Sequence, residues 1–215
     1  RKAEHNEQID NEWHGQGGPL NVTYPNHQSP LADLFIEAAE QHQIRRNDDY
    51  NGEMQDGTFH YQATQKNGER CSAAKAYLTP NLSRPNLTVR TGALSRRVVI
   101  EDGAARGVEF EQGGNLRQVR ARREVILSGG AFGTPQLLML SGVGAGAELT
   151  AHGIEVVRDL PGVGKNLQDH IDYVQSWKIK PRPDTFGVSI RGGLAFLKAI
   201  LEWRSRRTGL ITSPF

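Results

Sequence analysis

The feature that most constrains this chain is a continuous apolar run that passes directly into a glycine-rich segment. Residues 125–127 read Val-Ile-Leu, and residues 128–133 read Ser-Gly-Gly-Ala-Phe-Gly. A continuous rather than alternating apolar run is typical of a strand that is buried on both faces. We therefore predict a strand, a glycine-rich turn and then a helix, with Thr134 as the N-cap and Pro135 as the first helical residue.

The turn is predicted to consist of Gly129, Gly130 and Ala131. Backbone N–H groups and the helix dipole at the start of a helix favour phosphate groups, so the turn is a candidate nucleotide contact. The same small residues also suit a strand-to-helix crossover that needs them only for close packing. The spacing alone does not decide between these two interpretations.

Hydrophobic periodicity and turn residues place further elements along the chain. Helices are predicted at residues 30–43, 72–78, 134–140, 147–152 and 193–207. Strands or extended segments are predicted at residues 20–24, 57–64, 87–89, 97–100, 107–110, 118–121, 124–127, 154–157 and 173–179. This order predicts an α/β fold that includes a meander of short strands.

Composition excludes several classes of protein. The chain has 215 residues, and its formal net charge of +2 is too small to indicate a nucleic-acid or anionic-membrane partner. Its longest apolar stretches fall short of the roughly 18 residues that a membrane-spanning helix needs. The single cysteine, Cys71, excludes a disulfide framework. Because the sequence starts at Arg1 without a methionine or leader pattern, we expect an internal piece of a longer protein.

Other candidate motifs fail on their context. Residues 142–147 match a dinucleotide-binding glycine pattern, but they follow a helix, whereas that motif requires a preceding strand. Residues 164–166 lack the other elements of a P-loop. Asp169 and His170 are adjacent in an extended segment, so their side chains are expected to point to opposite faces, unlike those of a catalytic pair. The remaining histidines lack metal-ligand spacing, so no metal site is expected.

Residues 130–144, Gly-Ala-Phe-Gly-Thr-Pro-Gln-Leu-Leu-Met-Leu-Ser-Gly-Val-Gly, resemble the second signature of the glucose-methanol-choline (GMC) family of FAD-dependent alcohol oxidoreductases. Further blocks resemble that family in the family's own order; they lie at residues 67–74, 84–89, 123–128 and 159–170. The resemblance is closest to choline dehydrogenases and acceptor-linked alcohol dehydrogenases.

The resemblance implies a partial Rossmann-like FAD-binding domain with a β-meander, together with segments of an α+β substrate domain that has an antiparallel sheet. Residues 1–66 and 171–215 would belong to the substrate domain, and residues 67–170 to the FAD-binding domain. The same resemblance implies a set of cofactor contacts: Ser95 beside the adenine, Gly129, Gly130 and Ala131 near the ribose and pyrophosphate, and Asn166, Asp169 and His170 near the rim of the flavin domain.

The function implied is oxidation of the CH–OH group of choline or another primary alcohol by hydride transfer to FAD. The family's N-terminal glycine fingerprint, first signature and catalytic histidine are missing here, so no catalytic residue is assigned and the piece alone is expected to be inactive and colourless. The electron acceptor and the choice between oxidase and dehydrogenase stay open.

The resemblance implies a cytoplasmic or peripherally membrane-associated enzyme. An inactive truncated domain that serves self-association or partner binding is the alternative, and the missing fingerprint argues against an NAD-dependent dehydrogenase.

Overall fold

The computed structural model describes residues 1–173, 175, 180 and 190–212. The chain divides into two compact units. The first unit comprises Arg1–Thr88 and Trp177–Phe215, and the second comprises Val89–Ser176. Within the described ranges, no helix is long and apolar enough to cross a membrane.

The described elements are short, and strands and helices are mixed along the chain. The strands are β1 (Glu4–Asn6), β2 (Leu20–Val22), β3 (Gln65–Lys66), β4 (Glu69–Arg70), β5 (Ala93–Glu101), β6 (Ala104–Gln112), β7 (Asn115–Arg120), β8 (Val143–Gly144) and β9 (Arg158–Asp159). The helices are α1 (Pro30–Gln41), α2 (Gly130–Leu140), α3 (Gly146–Ala151) and α4 (Ile190–Arg206), with a π-helical turn at Ala74–Leu78 and 3-10 turns at Thr79–Asn81 and Leu210–Thr212.

The start of α1 follows the sequence signals. The backbone N–H of Leu31 donates to the Ser29 hydroxyl over 3.3 Å, and Pro30 is the first helical residue. Both features suit a helix N-terminus, because a hydroxyl satisfies an otherwise free N–H and proline has no N–H to lose. Ile36 points inward and is buried. The predicted helix at residues 30–43 is thus confirmed, ending two residues early.

Four predicted strands are wrong for the same physical reason. Residues 57–64 form only isolated bridges, and residues 87–89, 124–127 and 154–157 join no ladder among the described segments. A strand needs a neighbour that pairs with its backbone N–H and C=O groups, and an apolar run alone does not supply one. The predicted extended segment at residues 173–179 lies almost wholly outside the described residues.

The second unit contains a three-stranded antiparallel sheet in the order β5-β6-β7. Two glycine-bearing turns join the strands in sequence, so the predicted meander is confirmed. Val98 on β5 pairs with Val108 on β6, and both Val98 and Phe110 are buried. The register shifts between Ser95 and Arg97, which leaves Arg96 as an extra residue in β5. Such a bulge bends and re-aims the strand locally.

In the first unit, the β3–β4 hairpin docks against the C-terminal end of α4. The indole N–H of Trp203 donates to the backbone oxygen of Gly68 over 2.8 Å. Gly68 has φ +67°, and a Cβ at this position would lie 2.1 Å from the backbone oxygen of Arg207. The predicted Asn-Gly turn at residues 67–68 is confirmed, and the close approach of α4 adds a second requirement for glycine.

A histidine between two carboxylates forms part of the interior of the first unit. His14 is 8% exposed; its Nδ1 lies 2.9 Å from Oε1 of Glu4 and its Nε2 lies 2.8 Å from Oδ1 of Asp49. Since both ring nitrogens face anionic acceptors, the arrangement favours the doubly protonated imidazolium. Burial, the largest influence on His14, opposes its charged form, but the hydrogen bonds to both carboxylates raise the net pKa above 6.5.

The pKa shifts around His14 predict a pH optimum for stability. The pKa values of Glu4 and Asp49 are lowered, because hydrogen bonds from His14 and other donors outweigh the desolvation that opposes ionisation. Stability contributed by His14 is complete below pH 6.5 and is lost as the pH rises through its raised pKa; stability from the carboxylates is lost as the pH falls through their lowered pKa values. We therefore expect the melting temperature to fall as the pH rises through the raised pKa of His14.

The variant His14→Gln tests this assignment through melting temperatures measured as a function of pH. It should be less stable than the parent, and the decline on the alkaline side should vanish. His42→Gln is the control, because His42 is exposed at the end of α1. An alkaline decline of the same size in His14→Gln would contradict the role of the imidazolium.

Candidate functional site

The candidate site lies where α2 begins. The helix starts at Gly130 with Gly129 as its N-cap, five residues before the predicted N-cap Thr134 and first helical residue Pro135, and Pro135 lies inside it. That prediction was wrong because Thr134 does not cap the following turn. Its hydroxyl instead accepts a hydrogen bond from the backbone N–H of Gly129 over 3.0 Å. Gly129, Gly130 and Ala131 therefore form the helix start itself rather than a separate turn.

A cavity of about 430 Å³ belongs to the first unit, but two of the predicted cofactor residues, Ser95 and Gly129, line another cavity in the second unit, whereas Gly130 and Ala131 are not among its lining residues. This site cavity has a volume of about 320 Å³ and brings Ser95 on β5 together with Gly129. Its remaining lining comes from both strands of the β5–β6 pair, from the segment leading to α2 and from α2 itself: Leu94, Val108, Val125, Ile126, Leu127, Ser128, Gly133, Thr134, Gln136, Leu137 and Leu140. The walls are mainly apolar with a few polar groups, as is usual for small-molecule sites.

The positions of Gly129 and Gly130, at the N-terminus of α2, favour glycine for different reasons. A Cβ on Gly129 would lie 3.0 Å from both the carbonyl carbon of Gly133 and the backbone nitrogen of Thr134, so a side chain does not fit there without a shift. Gly130 has φ +78°, in the left-handed region that favours glycine. The first N–H groups of a helix have no partner within it, and in α2 they lie in an exposed segment.

Ser95 lies beside the β5 bulge. It pairs with Phe110 on β6, immediately before the extra residue Arg96. Ser95 itself is exposed, and the adjacent Leu94 is 58% exposed although it is apolar. Ser95 lines one wall of the site cavity at this irregular point of β5.

A buried serine fixes α2 against β5. The Ser141 hydroxyl accepts a hydrogen bond from the backbone N–H of Val98 over 2.8 Å and donates to the carbonyl of Leu137 over 2.5 Å. Because β5 is an edge strand, its outward N–H would otherwise be buried without a partner. Ser141 thereby joins the two elements whose other residues line the site cavity.

Replacing Ser141 with alanine is expected to lower the free energy of unfolding by about 1–3 kcal/mol, because the buried N–H of Val98 loses its acceptor. Urea denaturation followed by circular dichroism measures the change. Ser205→Ala is the matched control, since the Ser205 hydroxyl donates to carbonyls of its own helix and is exposed. Equal losses in the two variants would rule out a special role for Ser141.

Asn166, Asp169 and His170 do not line the site cavity. All three are exposed; Asn166 has φ +56°, and the backbone N–H of His170 donates to Oδ1 of Asp169 over 2.8 Å. The loop that leads to them lies against α2, because a Cβ on Gly164 would be 3.4 Å from the Met139 methyl group. The structure thus brings Ser95 together with the start of α2, while the other three residues lie elsewhere in the second unit.

The rejected glycine motif at residues 142–147 follows α2, as expected. Gly142 has φ +82° and comes directly after the C-cap of α2, and its carbonyl accepts from the backbone N–H groups of Val157 and Arg158.

Among the residues that the structure describes, no group of three or more His, Cys, Asp or Glu side chains could hold a metal ion.

A comparison of the sequence with known protein families identifies the family of this chain. The sequence model of the GMC oxidoreductase family matches residues 1–172. The chain belongs to the GMC oxidoreductase family. The site cavity and the whole of α2 fall within the matched range.

Curated members of the GMC family are similar over most of the chain. An alcohol dehydrogenase (acceptor) from Pseudomonas putida is 43% identical over 99% of the chain, which covers 39% of that protein. An oxygen-dependent choline dehydrogenase from Brucella anthropi is 46% identical over 79% of the chain, which covers 31% of that protein. The chain therefore spans less than half the length of these relatives.

Solved structures support the GMC assignment at the level of the fold. An FAD-dependent oxidoreductase from Chaetomium thermophilum matches 98% of the chain with a TM-score of 0.80 and 25% identity, and the match covers 39% of that structure. A formate oxidase matches 99% of the chain with a TM-score of 0.79 and 27% identity, and covers 38% of that structure. The mixture of helices and small sheets is thus that of known GMC oxidoreductases.

Sequence reasoning missed several residues of the site. Nothing in the linear pattern connects Leu94 and Val108 with α2, because they reach the cavity through strand pairing. The Ser141 hydroxyl gave no signal either, since serine before glycine at a helix end is common. Thr134 was predicted as an N-cap, but its hydroxyl accepts a hydrogen bond from the backbone N–H of the residue five positions earlier instead of capping the turn that follows.

Proposed function

We propose that this chain supplies part of an FAD site in an enzyme that oxidises the CH–OH group of an alcohol. The observation that carries the proposal is the meeting of Ser95 and Gly129 in one cavity at the start of α2. The names of the relatives, alcohol dehydrogenase and choline dehydrogenase, favour choline or another primary alcohol as the substrate.

The site cavity fits one ring system of a dinucleotide. Ligand pockets commonly measure about 300–1,000 Å³, and a volume of 320 Å³ lies at the lower end, which suits the adenine rather than the whole cofactor. Apolar walls from Leu94 and Val108 would pack against the faces of the ring. Backbone groups at Ser95 would meet its polar edge.

The start of α2 offers a second contact of suitable chemistry. Free N–H groups at a helix N-terminus, together with the helix dipole, stabilise negative charge. Gly129, Gly130 and Ala131 carry no side chain larger than a methyl group, so a phosphate or ribose could approach the backbone closely. We propose that these residues would hold the ribose and pyrophosphate side of FAD.

The remaining assignments follow the family relationship. Residues 67–170 would belong to a Rossmann-like FAD-binding domain, and residues 1–66 and 171–215 to the substrate domain. Asn166, Asp169 and His170 would lie at the rim of the flavin domain. Bound flavin supplies the acceptor for the hydride that leaves the alcohol carbon. The residues of this chain bind and orient, and we assign none of them as a proton acceptor.

The test is a spectroscopic titration of the full-length protein. We expect the purified protein to show the absorbance of oxidised flavin, and we expect an alcohol to bleach that absorbance in the absence of oxygen. Choline and an uncharged primary alcohol are added separately to identify the substrate class. A protein that stays colourless when supplied with FAD, or whose flavin is reduced by no alcohol, would contradict the proposal and favour a non-catalytic role in self-association.

A further inference from the structure

A third cavity, which we call the basic cavity, lies in the first unit between the β3–β4 hairpin and the end of α4. Its volume is about 1140 Å³. Among the residues that the structure describes, five cationic side chains and one carboxylate, that of Glu69, line it; the cations are Lys66, Arg70, Lys75, Arg206 and Arg207. This excess of positive charge contrasts with a whole chain whose formal net charge is only +2.

Glu69 does not neutralise the basic cavity. Its carboxylate is shared between Lys75 and Arg207, and the Arg207 Nη1 lies 2.5 Å from Oε1 of Glu69. The hydrogen bond from Lys75, followed by the charges of both cations, lowers the pKa of Glu69. Within the described part of the chain, Lys66, Arg70 and Arg206 form no ion pair with any acidic group.

One wall of the basic cavity is held in place by several contacts. The Arg207 guanidinium lies 4.4 Å from the centroid of the Trp203 ring, and its carboxylate partner on β4 holds it from another side. Trp203 is itself fixed by its hydrogen bond to Gly68. The amide of Asn26 donates to the backbone oxygen of Arg207 over 3.0 Å. These contacts reduce the conformational entropy that Arg207 would lose when it binds a ligand.

The cations come from separate parts of the sequence. Lys66, Arg70 and Lys75 belong to the hairpin and the turn after it, whereas Arg206 is the last residue of α4 and Arg207 follows it, more than a hundred residues later. Cationic side chains that are simply solvated are not expected to cluster around a concavity. Concave walls focus the electric field, and arginine side chains match the geometry of phosphate and carboxylate groups.

We propose that the basic cavity binds a small multivalent oxyanion, such as a phosphate-bearing or polycarboxylate molecule. Arg70 and Arg206 would provide the main bonds, because neither has a competing carboxylate. Arg207 would act as the pre-positioned third donor. This site shares no lining residue with the flavin site proposed above.

The test is calorimetric titration of the full-length, flavin-loaded protein with inorganic pyrophosphate, and separately with citrate, at constant ionic strength. The pyrophosphate arm tests phosphate chemistry and the citrate arm tests carboxylate chemistry. We expect saturable binding of at least one of the two anions, weakened at higher salt because the lining side chains are exposed. The double variant R70Q/R206Q should bind that anion about tenfold more weakly or worse.

The double variant R122Q/R123Q controls for general loss of positive charge, because Arg122 and Arg123 are exposed in the second unit outside the basic cavity. It should bind the anion as the parent does. Arg70 and Arg206 are exposed and form no ion pair with the acidic groups that the structure describes, so removing their charges should leave the melting temperature unchanged. Absence of saturable binding by both anions, or equal weakening in the two double variants, would overturn the proposal.

Discussion

Replacing Gly68 with alanine is expected to lower the free energy of unfolding by about 2–5 kcal/mol, from left-handed backbone strain plus overpacking. The backbone of Gly68 has φ +67°, and the added Cβ would lie 2.1 Å from the backbone oxygen of Arg207. Neither atom belongs to a flexible side chain, so the hairpin and the end of α4 must separate. Urea denaturation and thermal melting of the full-length protein measure the effect.

Gly103→Ala provides a matched control for the Gly68 variant. Gly103 has φ +73° in the turn between β5 and β6, but an added Cβ there has no neighbour within 4 Å. Its replacement carries the backbone strain without the overlap and should cost about 1–2 kcal/mol. If both variants lose the same stability, the close contact between the hairpin and α4 has no energetic importance.

Replacing Gly129 with valine is expected to raise the dissociation constant for FAD by about 5- to 150-fold. This estimate converts the usual cost of overpacking, about 1–3 kcal/mol, into an affinity. A side chain at Gly129 would already be crowded at its Cβ, which would lie 3.0 Å from the backbone of Gly133 and Thr134. Gly129 lines the site cavity, so the larger valine side chain would alter that wall. Fluorescence titration of the apoprotein with FAD gives the dissociation constant.

Gly193→Val is the control for the Gly129 variant. Gly193 lies in α4 and does not adopt the left-handed conformation, and an added Cβ there has no neighbour within 4 Å. Its replacement should leave the affinity for FAD unchanged. A Gly129→Val protein that is folded and retains parental affinity would contradict the placement of FAD at the start of α2.

Local signals in the sequence were sufficient where a short segment determines its own structure. Ser29 and Pro30 predict the start of α1, the Asn-Gly pair at residues 67–68 predicts the hairpin, and alternating residues with glycine turns predict the β5–β7 meander. Each of these depends on backbone geometry or capping within a few residues. The grouping of Ser95 with Gly129 came from the family resemblance, not from the local pattern.

Signals failed where structure depends on a neighbour distant in sequence. The apolar run at residues 125–127 predicts a strand buried on both faces, yet Ile126 is 76% exposed and the run has no paired strand among the described residues. The basic cavity was equally hidden, because its cations are unremarkable surface residues until the end of α4 meets the hairpin. The Ser141 contact with Val98 spans 43 positions and has no local pattern.

The hydrogen bond from Trp203 to Gly68 joins two residues that the ribosome synthesises at different times, Gly68 first and Trp203 later. The two residues are 135 positions apart. At roughly 5–20 residues per second, translation leaves the hairpin without its partner for on the order of ten seconds. During that interval the glycine turn lacks the hydrogen bond that Trp203 later donates. Slower or faster elongation across this stretch should therefore change how much newly made protein misfolds or is captured by chaperones.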